Sequence, residues 1–535
     1  MKNKLQLVTV ITLLLFTKLI FAQAPNLGKA SDFVLFSSNG AVSNSGISHI
    51  TGNVGTNNGS STAFGNVDGV MHDGDSASIQ CAADLLTAYN QLNATVPAFF
   101  PSNLLGNGQI LIAGIYSISS ATTLDLNLTL DAQGDSTAVF IFKIQGTLST
   151  NANSKVILVN GAQACKVFWK VEGLVSMASG TTMRGTIIAN NAAIEMSTGD
   201  TLEGRALSTT GAVTVDGVYA YTPIGCGSSF LIGPAAPALA STECYTIFSS
   251  NGAVSNSGIS YVTGDIGTNN GLTTGFDSLN ISGNIHLIPD ASTAQCALDL
   301  GVMYTYLNTL THDIELLYPA QFGNNLVLTP HTYLLDAATV FTDSLFLDAR
   351  GYNDAVFVIK INGALSTSTY SKVILRNGAK AKNVFWKVEG AVSLNNYSVF
   401  CGTIVCNNGA LGAINTGVVL DGKAFTTGGA LTTTAIDATT TPNCNLTDIY
   451  SLDYWKKIID VYPSMFGNKF FVTVNKGSSF KGEVNVFNAF GQIVLNKLIN
   501  GGTNSIVADL PSGIYFYQIN EKNKLLKSGK IISGN

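Results

Sequence analysis

Apolar and polar residues alternate over many short runs of this chain, which is the pattern of half-buried β-strands. Around Val139 to Ile144, for example, Phe140, Phe142 and Ile144 alternate with Val139, Ile141 and Lys143. Gly or Asn residues end each run, and the cycle returns after roughly 19 to 27 residues. Short strands joined at such corners predict a β-solenoid with three faces. A β-sandwich is the alternative, but it has more regular hairpin turns.

The same pattern occurs twice. The run FSSNGAVSNSGIS spans Phe36 to Ser48 and recurs unchanged from Phe248 to Ser260. The stretch KVFWKVEG at Lys166 to Gly173 recurs as NVFWKVEG at Asn383 to Gly390. Two tandem copies of one module, each about 200 residues long, are therefore predicted.

One segment of each copy has helical rather than strand periodicity. Between Asp73 and Ala94 the sequence predicts a helix that Asp75 or Ser76 caps. The matching segment of copy two runs from Pro289 to Leu310. The spacing predicts that the buried face of the first helix holds Ile79, Ala82, Ala83, Leu86, Tyr89 and Leu92.

The N-terminus has the pattern of a secretory signal peptide. Lys2 and Lys4 precede an apolar run that ends in the small-residue cleavage site at Ala22 to Ala24. A membrane anchor is the alternative, but the run is short and Lys18 interrupts it. The expected domains are a signal peptide (1–23), copy one (24–225), a linker (226–243), copy two (244–444), a second linker (445–460) and a C-terminal β-sandwich (461–535).

Composition excludes several functions. Charged residues make up 11% of the chain, the net charge is −5 and no basic run occurs, so a nucleic-acid partner is not expected. The eight cysteines include no CxxC pair, so neither zinc nor another cofactor is expected, and the disulfide pairing stays open. The five histidines are scattered, and the repeated pairs Lys170/Glu172 and Lys387/Glu389 are expected to be solvent or turn pairs. No catalytic arrangement is evident, so an enzyme is not expected.

One face of the predicted solenoid has an unusual composition. When the coils are aligned on their turn glycines, Leu148, Val175, Ile194 and Val213 point inward, and Glu195 is the single charge among their outward neighbours. The candidate site is the outward row, which holds Thr147, Ser149, Ser176, Ala193, Ala212 and Thr214 in copy one and Ala364, Ser366, Ala391, Ser393, Ala430 and Thr432 in copy two.

Such a row forms a lattice of methyl and hydroxyl groups. Outward residues lie about 6.6 Å apart along a strand and about 4.8 Å apart between strands, which is close to oxygen repeats in ice. Methyl groups order nearby water and hydroxyls anchor it, so the row favours adsorption to ice. The alternative function is a cell-surface adhesin that binds glycan or another surface. It would need exposed aromatic residues. Trp169 and Trp386 are predicted to point inward, so loops such as Phe99-Phe100 would have to supply them.

The motifs also carry a family resemblance. The segments LGKASDFVLFSSNGAVSNSGISHITGNVGTNNG, VFIFKIQGTLST, KVFWKVEGLVSM and LEGRALSTTGAVTVDG in copy one, with their counterparts in copy two, resemble the ice-binding-protein-like (domain of unknown function 3494) family. The resemblance implies a discontinuous right-handed parallel β-helix with a long α-helix alongside it. It also implies antifreeze activity, that is, thermal hysteresis and inhibition of ice recrystallisation, through one flat Thr/Ser/Ala-rich face.

The C-terminal segment resembles a second module. VYPSMFGNKFFVTV, GEVNVFNAFGQIVLNKLI and GIYFYQI are similar to the type A sorting domain of the type IX secretion system, although Ser464-Met465 replaces the usual Asn-Pro after Pro463. The resemblance implies a small β-sandwich that engages the secretion machinery. We therefore expect a monomer that is secreted or attached to the outer surface, with ice as its partner.

Overall fold

The computed structural model describes residues 23–225, 231–440, 459–474, 480–521 and 524–534. It divides into two compact units, residues 1–441 and 442–535. The predicted fold class is confirmed, because each copy is built from stacked parallel strands with one long α-helix alongside. The predicted signal peptide lies almost entirely in residues 1–22, outside the described residues.

Each copy contains one eight-stranded parallel sheet, which we call its row face. The strands of the row face of copy one stack in the order Ser61–Thr62, Val42–Ser45, Val213–Asp216, Ile194–Met196, Val175–Met177, Leu148–Thr150, Thr122–Asp125 and Leu104–Gly106. Those of copy two stack in the order Thr273–Thr274, Val254–Ser257, Leu431–Thr434, Leu411–Ile414, Val392–Leu394, Leu365–Thr367, Thr339–Thr342 and Phe322–Gly323.

A larger parallel sheet supplies the other two faces of each solenoid. Long strands such as Thr182–Ala189 turn a corner, so that their first half lies on what we call the third face and their second half lies under the α-helix. In copy one the strands of this sheet are Phe33–Ser37, His49–Thr51, Asn53–Thr56, Met71–Asp73, Gln109–Ile112, Gly114–Ile118, Asn127–Asp131, Phe140–Ile144, Lys155–Val159, Val167–Val171, Thr182–Ala189, Thr201–Ser208 and Tyr219–Tyr221. In copy two they are Tyr245–Ser249, Tyr261–Thr263, Asp265–Thr268, Ile281–Ser282, Ile285–His286, Ile314–Glu315, Leu326–Leu328, Thr332–Leu335, Ser344–Asp348, Phe357–Ile361, Lys372–Arg376, Val384–Val388, Val399–Cys406, Val419–Thr426 and Asp437–Thr439.

The stacking order does not follow the chain. The strand Val42–Ser45 lies between Ser61–Thr62, the next row-face strand along the chain, and Val213–Asp216, about 170 residues later, whereas Leu104–Gly106 lies at the far edge of the sheet. The coils that begin each copy therefore close onto the coils that end it. Each solenoid is discontinuous, as the family resemblance implied.

Apolar side chains fill the interior of both solenoids. The inward phase predicted for Leu148, Val175, Ile194 and Val213 is confirmed, and Trp169 is fully buried. In copy one the rings of Phe99, Tyr116, Phe142 and Trp169 stack in successive coils, with centroid distances of 4.9, 5.1 and 4.0 Å. Such ladders fix the register of the coils, because each ring occupies the same place in its turn.

The α-helices are α1, Ser76–Ala94, and α2, Ala291–Thr309. Asp75 caps α1 by accepting a hydrogen bond from the Ser78 backbone N–H, which confirms one of the two predicted caps. The predicted buried face was wrong for Ile79, Ala83 and Leu86, which are exposed, but right for Leu92, which is buried. The buried residues of α1 are Ser78, Cys81, Leu85, Ala88 and Leu92. They pack against a strand face that carries Phe33, Phe36, Ile141 and Phe168.

The repeated Lys/Glu pairs were predicted to be solvent or turn pairs, and the first alternative is wrong because the lysines are buried. The Lys170 side chain is almost fully buried and pairs with Glu172, which also accepts hydrogen bonds from Tyr89 of α1 and from Asn190. Although burial opposes it, these hydrogen bonds lower the pKa of Glu172. The same network recurs around Lys387 and Glu389. The pairs therefore attach each helix to its solenoid.

Other short elements complete the first unit. The 3₁₀ turns are Gly28–Ser31, Ala164–Lys166, Ala240–Glu243, Ser278–Asn280, Pro319–Gln321 and Ala381–Asn383. Part of the segment expected to be the first linker packs on copy two, since the Val356 N–H donates to the Ile232 carbonyl over 2.9 Å.

The thiols of Cys81, Cys296, Cys401 and Cys406 are free and buried, whereas Cys165 and Cys244 are each disulfide-bonded. Cys226 and Cys444 lie outside the described residues.

The second unit contains two mostly antiparallel sheets around one core. In its described ranges, one sheet holds Ile459–Tyr462, Lys469–Val474 and Gly502–Val507. The other holds Met465–Phe466, Lys481–Phe487, Ile493–Asn500, Gly513–Glu521 and Lys524–Ser533. Phe470, Val484 and Ile519 are among the buried residues between them. No helix in the described part of the chain is long and apolar enough to cross a membrane.

Candidate functional site

The structure brings the predicted row of copy one onto a single solvent-facing sheet. Parallel pairing aligns Ser149 with Ser176, Ser176 with Glu195, and Glu195 with Thr214. These residues form the middle column of the row face. Their inward neighbours are fully buried, so the alternation along each strand is strict.

A second column runs beside the middle one. Thr147, Leu174, Ala193 and Ala212 precede the successive strands, and backbone hydrogen bonds connect these positions from coil to coil. The Leu148 N–H donates to the Leu174 carbonyl, and the Val175 N–H donates to the Ala193 carbonyl, each over 2.9 to 3.0 Å. We call this the flanking column. It consists mainly of methyl groups.

Copy two repeats both columns. Ser366 pairs with Ser393 in its middle column, and Thr432 continues the column beyond the bulged strand Leu411–Ile414. Ala364, Ala391 and Ala430 lie in its flanking column and are exposed. Within the bulged strand, Ala413 and not Gly412 lies opposite Ser393.

The structure extends each row with residues that the sequence analysis missed. Ser43 pairs with Thr214 and Thr62 pairs with Ser43, while Thr123 pairs with Ser149 at the other end of the column. In copy two the corresponding additions are Ser255, Thr274 and Val340. A signal was present, because GAVS at Gly40 to Ser43 matches GAVT at Gly211 to Thr214.

The two row faces differ in charge. Glu195 is exposed in the middle column of copy one, and Asp216 lies at the margin of the same sheet. Hydrogen bonds from Thr198 (2.6 Å) and Ser45 (3.0 Å) lower the pKa of Asp216, so this carboxyl is ionised at neutral pH. The position that corresponds to Asp216 in copy two is Thr434, which pairs with Ser257. The row face of copy two therefore carries no charge in its middle or flanking column.

The hydroxyl groups of the row face leave room for water. The Thr123 and Ser149 hydroxyls are 3.2 Å apart, and each hydroxyl has further donor or acceptor capacity. Such groups at a fixed repeat, between rows of methyl groups, present an ordered pattern of anchors to a water layer. Among the described residues, no group of three or more His, Cys, Asp and Glu side chains is arranged to hold a metal ion.

Comparison with protein families agrees with this geometry. The family model described as ice-binding-like matches residues 36–219 and again 248–439. A second model, described as a secretion system C-terminal sorting domain, matches residues 460–533. The two tandem modules and the C-terminal module recognised from sequence motifs are thus confirmed.

Individual relatives carry the same description. An ice-binding protein of Nostoc sp. (strain HG1) is 38% identical over 194 residues, which cover 36% of this chain and 71% of the relative. An ice-binding protein of Colwellia sp. is 32% identical over 212 residues, or 36% of this chain and 81% of the relative. The crystal structure of an ice-binding protein from an Antarctic Flavobacteriaceae bacterium is 61% identical, with a TM-score of 0.77, and the match covers 79% of this chain and all of that one. The chain belongs to the ice-binding-like family, with two such domains followed by a secretion sorting domain.

Proposed function

We propose that this protein adsorbs to ice through the row faces of its two solenoids and so inhibits ice growth and recrystallisation. The observation that carries the proposal is the pair of exposed parallel sheets whose outward columns hold short, mostly uncharged side chains in register. The described relatives are ice-binding proteins, which supports the same function here and not an enzymatic one.

Adsorption needs no covalent chemistry. A molecule held on the crystal pins the advancing ice front, which must then curve between neighbouring molecules. Curvature lowers the freezing point locally and produces thermal hysteresis. Ice contact residues in this proposal are Thr147, Ser149, Ser176, Ala193, Ala212 and Thr214 in copy one, and Ala364, Ser366, Ala391, Ser393, Ala430 and Thr432 in copy two.

The charge difference between the faces makes copy two the stronger contributor in this proposal. A carboxylate orders its own hydration shell, so Glu195 interrupts the water layer that the hydroxyl column of copy one organises. Copy two has fewer hydroxyls but an unbroken uncharged surface. Its alanine column supplies methyl groups to order water, and Ser366, Ser393 and Thr432 supply anchors.

The sorting domain supports secretion as the cellular context. We propose that residues 1–23 are removed on export and that residues 461–535 direct passage across the outer membrane. N-terminal sequencing of the secreted protein would test the first cleavage directly. A mature N-terminus far from Ala24 would contradict it.

The function is tested by ice-crystal shaping and recrystallisation inhibition with the purified protein. We expect faceted crystals and suppressed coarsening, whereas ice that grows as in buffer would contradict the proposal and leave surface adhesion as the alternative.

Glu195→Thr completes the hydroxyl column of copy one, so we expect it to raise thermal hysteresis. Glu315→Thr removes the same charge from an exposed site off the row face and is the control, expected to change nothing.

A further inference from the structure

The two solenoids contact each other through a built interface. Copy one contributes the loop of residues 63–70, which we call its loop end. Copy two contributes residues 317–333. They lie at the end of its solenoid that is opposite to its own loop end, and we call this end its open end. The Thr329 hydroxyl donates to the buried Asp68 carboxylate over 2.8 Å, and the Tyr333 hydroxyl lies 2.6 Å from the same carboxylate. The Tyr318 backbone N–H donates to the Asn66 side chain over 2.9 Å.

Apolar packing accompanies these hydrogen bonds. Val70 of copy one packs against the apolar core cluster of copy two, which includes Leu326 and Leu328. The strand His49–Thr51 of copy one also lies next to the strand Leu326–Leu328. The loop end of one module thus covers the open end of the next, and Val327 is only 9% exposed.

The open end of copy one has the same fold but no such cover among the described residues. Ile110 pairs with Thr129, just as Val327 pairs with Phe346, so Ile110 and Val327 occupy equivalent places. Ile110 is 64% exposed, and Ile112, the equivalent of the buried Thr329, is 42% exposed. Phe100 is also exposed. An apolar edge of this kind marks an interaction site.

The loop end of copy two is the second uncovered surface. Its Ile281 and Ser282 pair with Val262 and Thr263, as Asp68 forms a bridge with Thr51 in copy one. Ser282 is therefore the equivalent of Asp68, but it is exposed. This loop is longer than its counterpart and carries Leu279, which is 90% exposed. Leu287, Ile288 and Tyr261 are exposed nearby.

We propose that the loop end of copy two docks on the open end of copy one in a second molecule, so that this chain associates head to tail. The occupant is argued from the internal interface, which already joins the same two surfaces of the same fold. This inference replaces the monomer expected from the sequence. It is independent of the ice-binding proposal, because the row faces take no part in the contact.

The chemistry of the two free surfaces suits this pairing. The internal contact buries the Asp68 carboxylate and matches it with the hydroxyls of Thr329 and Tyr333. In the intermolecular contact, Ser282 takes the place of Asp68 and Ile112 takes the place of Thr329. That contact therefore buries no charge at this point. The inserted Leu279 supplies apolar area that the loop end of copy one lacks. Because the two surfaces differ, the contact is heterologous, so a dimer leaves one surface of each kind free and further molecules add to it.

Sedimentation of the purified protein across a wide range of concentration tests the proposal. We expect the average mass to rise above the monomer mass of 56.0 kDa, by about twofold or more at the highest concentration. Ile110→Asp and Leu279→Asp each place a charge on one of the two surfaces. Both positions are exposed, so both variants should fold, and each alone should remain monomeric. Leu86→Asp, at an exposed helix position away from both surfaces, is the matched control and should associate as the wild type does.

A mixture of the two variants distinguishes this contact from other arrangements. Ile110→Asp retains an intact loop end and Leu279→Asp retains an intact open end. An equimolar mixture should therefore form dimers and nothing larger. A symmetric dimer through the open end would instead be abolished by Ile110→Asp and unaffected by Leu279→Asp, which would overturn the proposal. A wild-type protein that stays monomeric at every concentration would overturn it as well.

Discussion

A buried cation holds the start of each copy against its solenoid. Arg205 donates to the Ser31 carbonyl over 2.9 Å, and the equivalent Lys423 donates to the carbonyls of Glu243 and Tyr245 over 2.6 and 2.8 Å. Both side chains are less than a tenth exposed. Burial lowers the pKa of Arg205 to about 10 and that of Lys423 to about 8.

Lys423 therefore makes the stability of the protein depend on pH. Its folded-state pKa of about 8 is lower than the unfolded value of about 10.4, so folding favours the neutral amine. The stability from this group is complete above the unfolded pKa and is lost as pH falls through 8. Relative to Lys423→Met, we expect the free energy of unfolding of the wild type to increase by about 2 kcal/mol between pH 7.5 and 9.5.

Urea unfolding at the two pH values measures this difference. Arg205→Met is the matched control, because a pKa of about 10 leaves the wild-type guanidinium mostly protonated at both pH values, with about three quarters of it protonated at pH 9.5. The difference between wild type and Arg205→Met should therefore be nearly constant. A constant difference for Lys423→Met as well would show that Lys423 keeps an ordinary pKa in the folded protein.

At the scale of elements, the contact between α1 and the solenoid gives a sharp test from two adjacent leucines. Leu85 is fully buried against the strands, whereas Leu86 is 54% exposed. Leu85→Ala should lower the free energy of unfolding by about 2 to 5 kcal/mol, because it leaves a cavity. Leu86→Ala should change it by less than about 0.5 kcal/mol. Equal losses, measured by denaturant unfolding, would mean that the helix is rotated relative to the face described above.

The helix also shows where sequence reasoning fails. Its existence and its Asp75 cap follow from local patterns, because capping and periodicity are properties of neighbouring residues. Which face is buried depends on the space that the partner surface leaves. Phe33 and Phe168 of the solenoid pack with Cys81, Leu85 and Ala88 of the helix, whereas Ile79 is exposed. No local pattern reports that space.

On the row faces, local patterns predicted which residues point outward but not which distant strands pair. Alternation within each short strand is local, so the inward phase of Val175 and the outward phase of Ser176 were predictable. The pairing of Val42–Ser45 with Val213–Asp216 joins segments about 170 residues apart, and alternation within either strand does not report it, although GAVS at Gly40 to Ser43 matches GAVT at Gly211 to Thr214. Ser43 and Thr62 were missed for this reason.

At the scale of the whole molecule, the tandem repeat duplicates the row face and also creates a contact between the two copies. The modules differ at the contact, where the counterpart of Asp68 in copy two is Ser282, whereas the FSSNGAVSNSGIS run is identical in both copies. The repeat was visible in the sequence, but the contact between its copies was not. Residues 226–243 were predicted to be a linker, and within its described part Ile232 and Ser241 form hydrogen bonds with copy two.

The central claim is that both row faces contact ice. The most direct measurement is thermal hysteresis of the double variant Thr214→Tyr/Thr432→Tyr, which places a bulky ring in the middle column of each copy. The matched control is Thr201→Tyr/Val419→Tyr, at equivalent positions on the third faces. We predict that the row-face variant loses most of the thermal hysteresis and that the control retains it. Unchanged hysteresis in the row-face variant, or an equal loss in the control, would contradict the account.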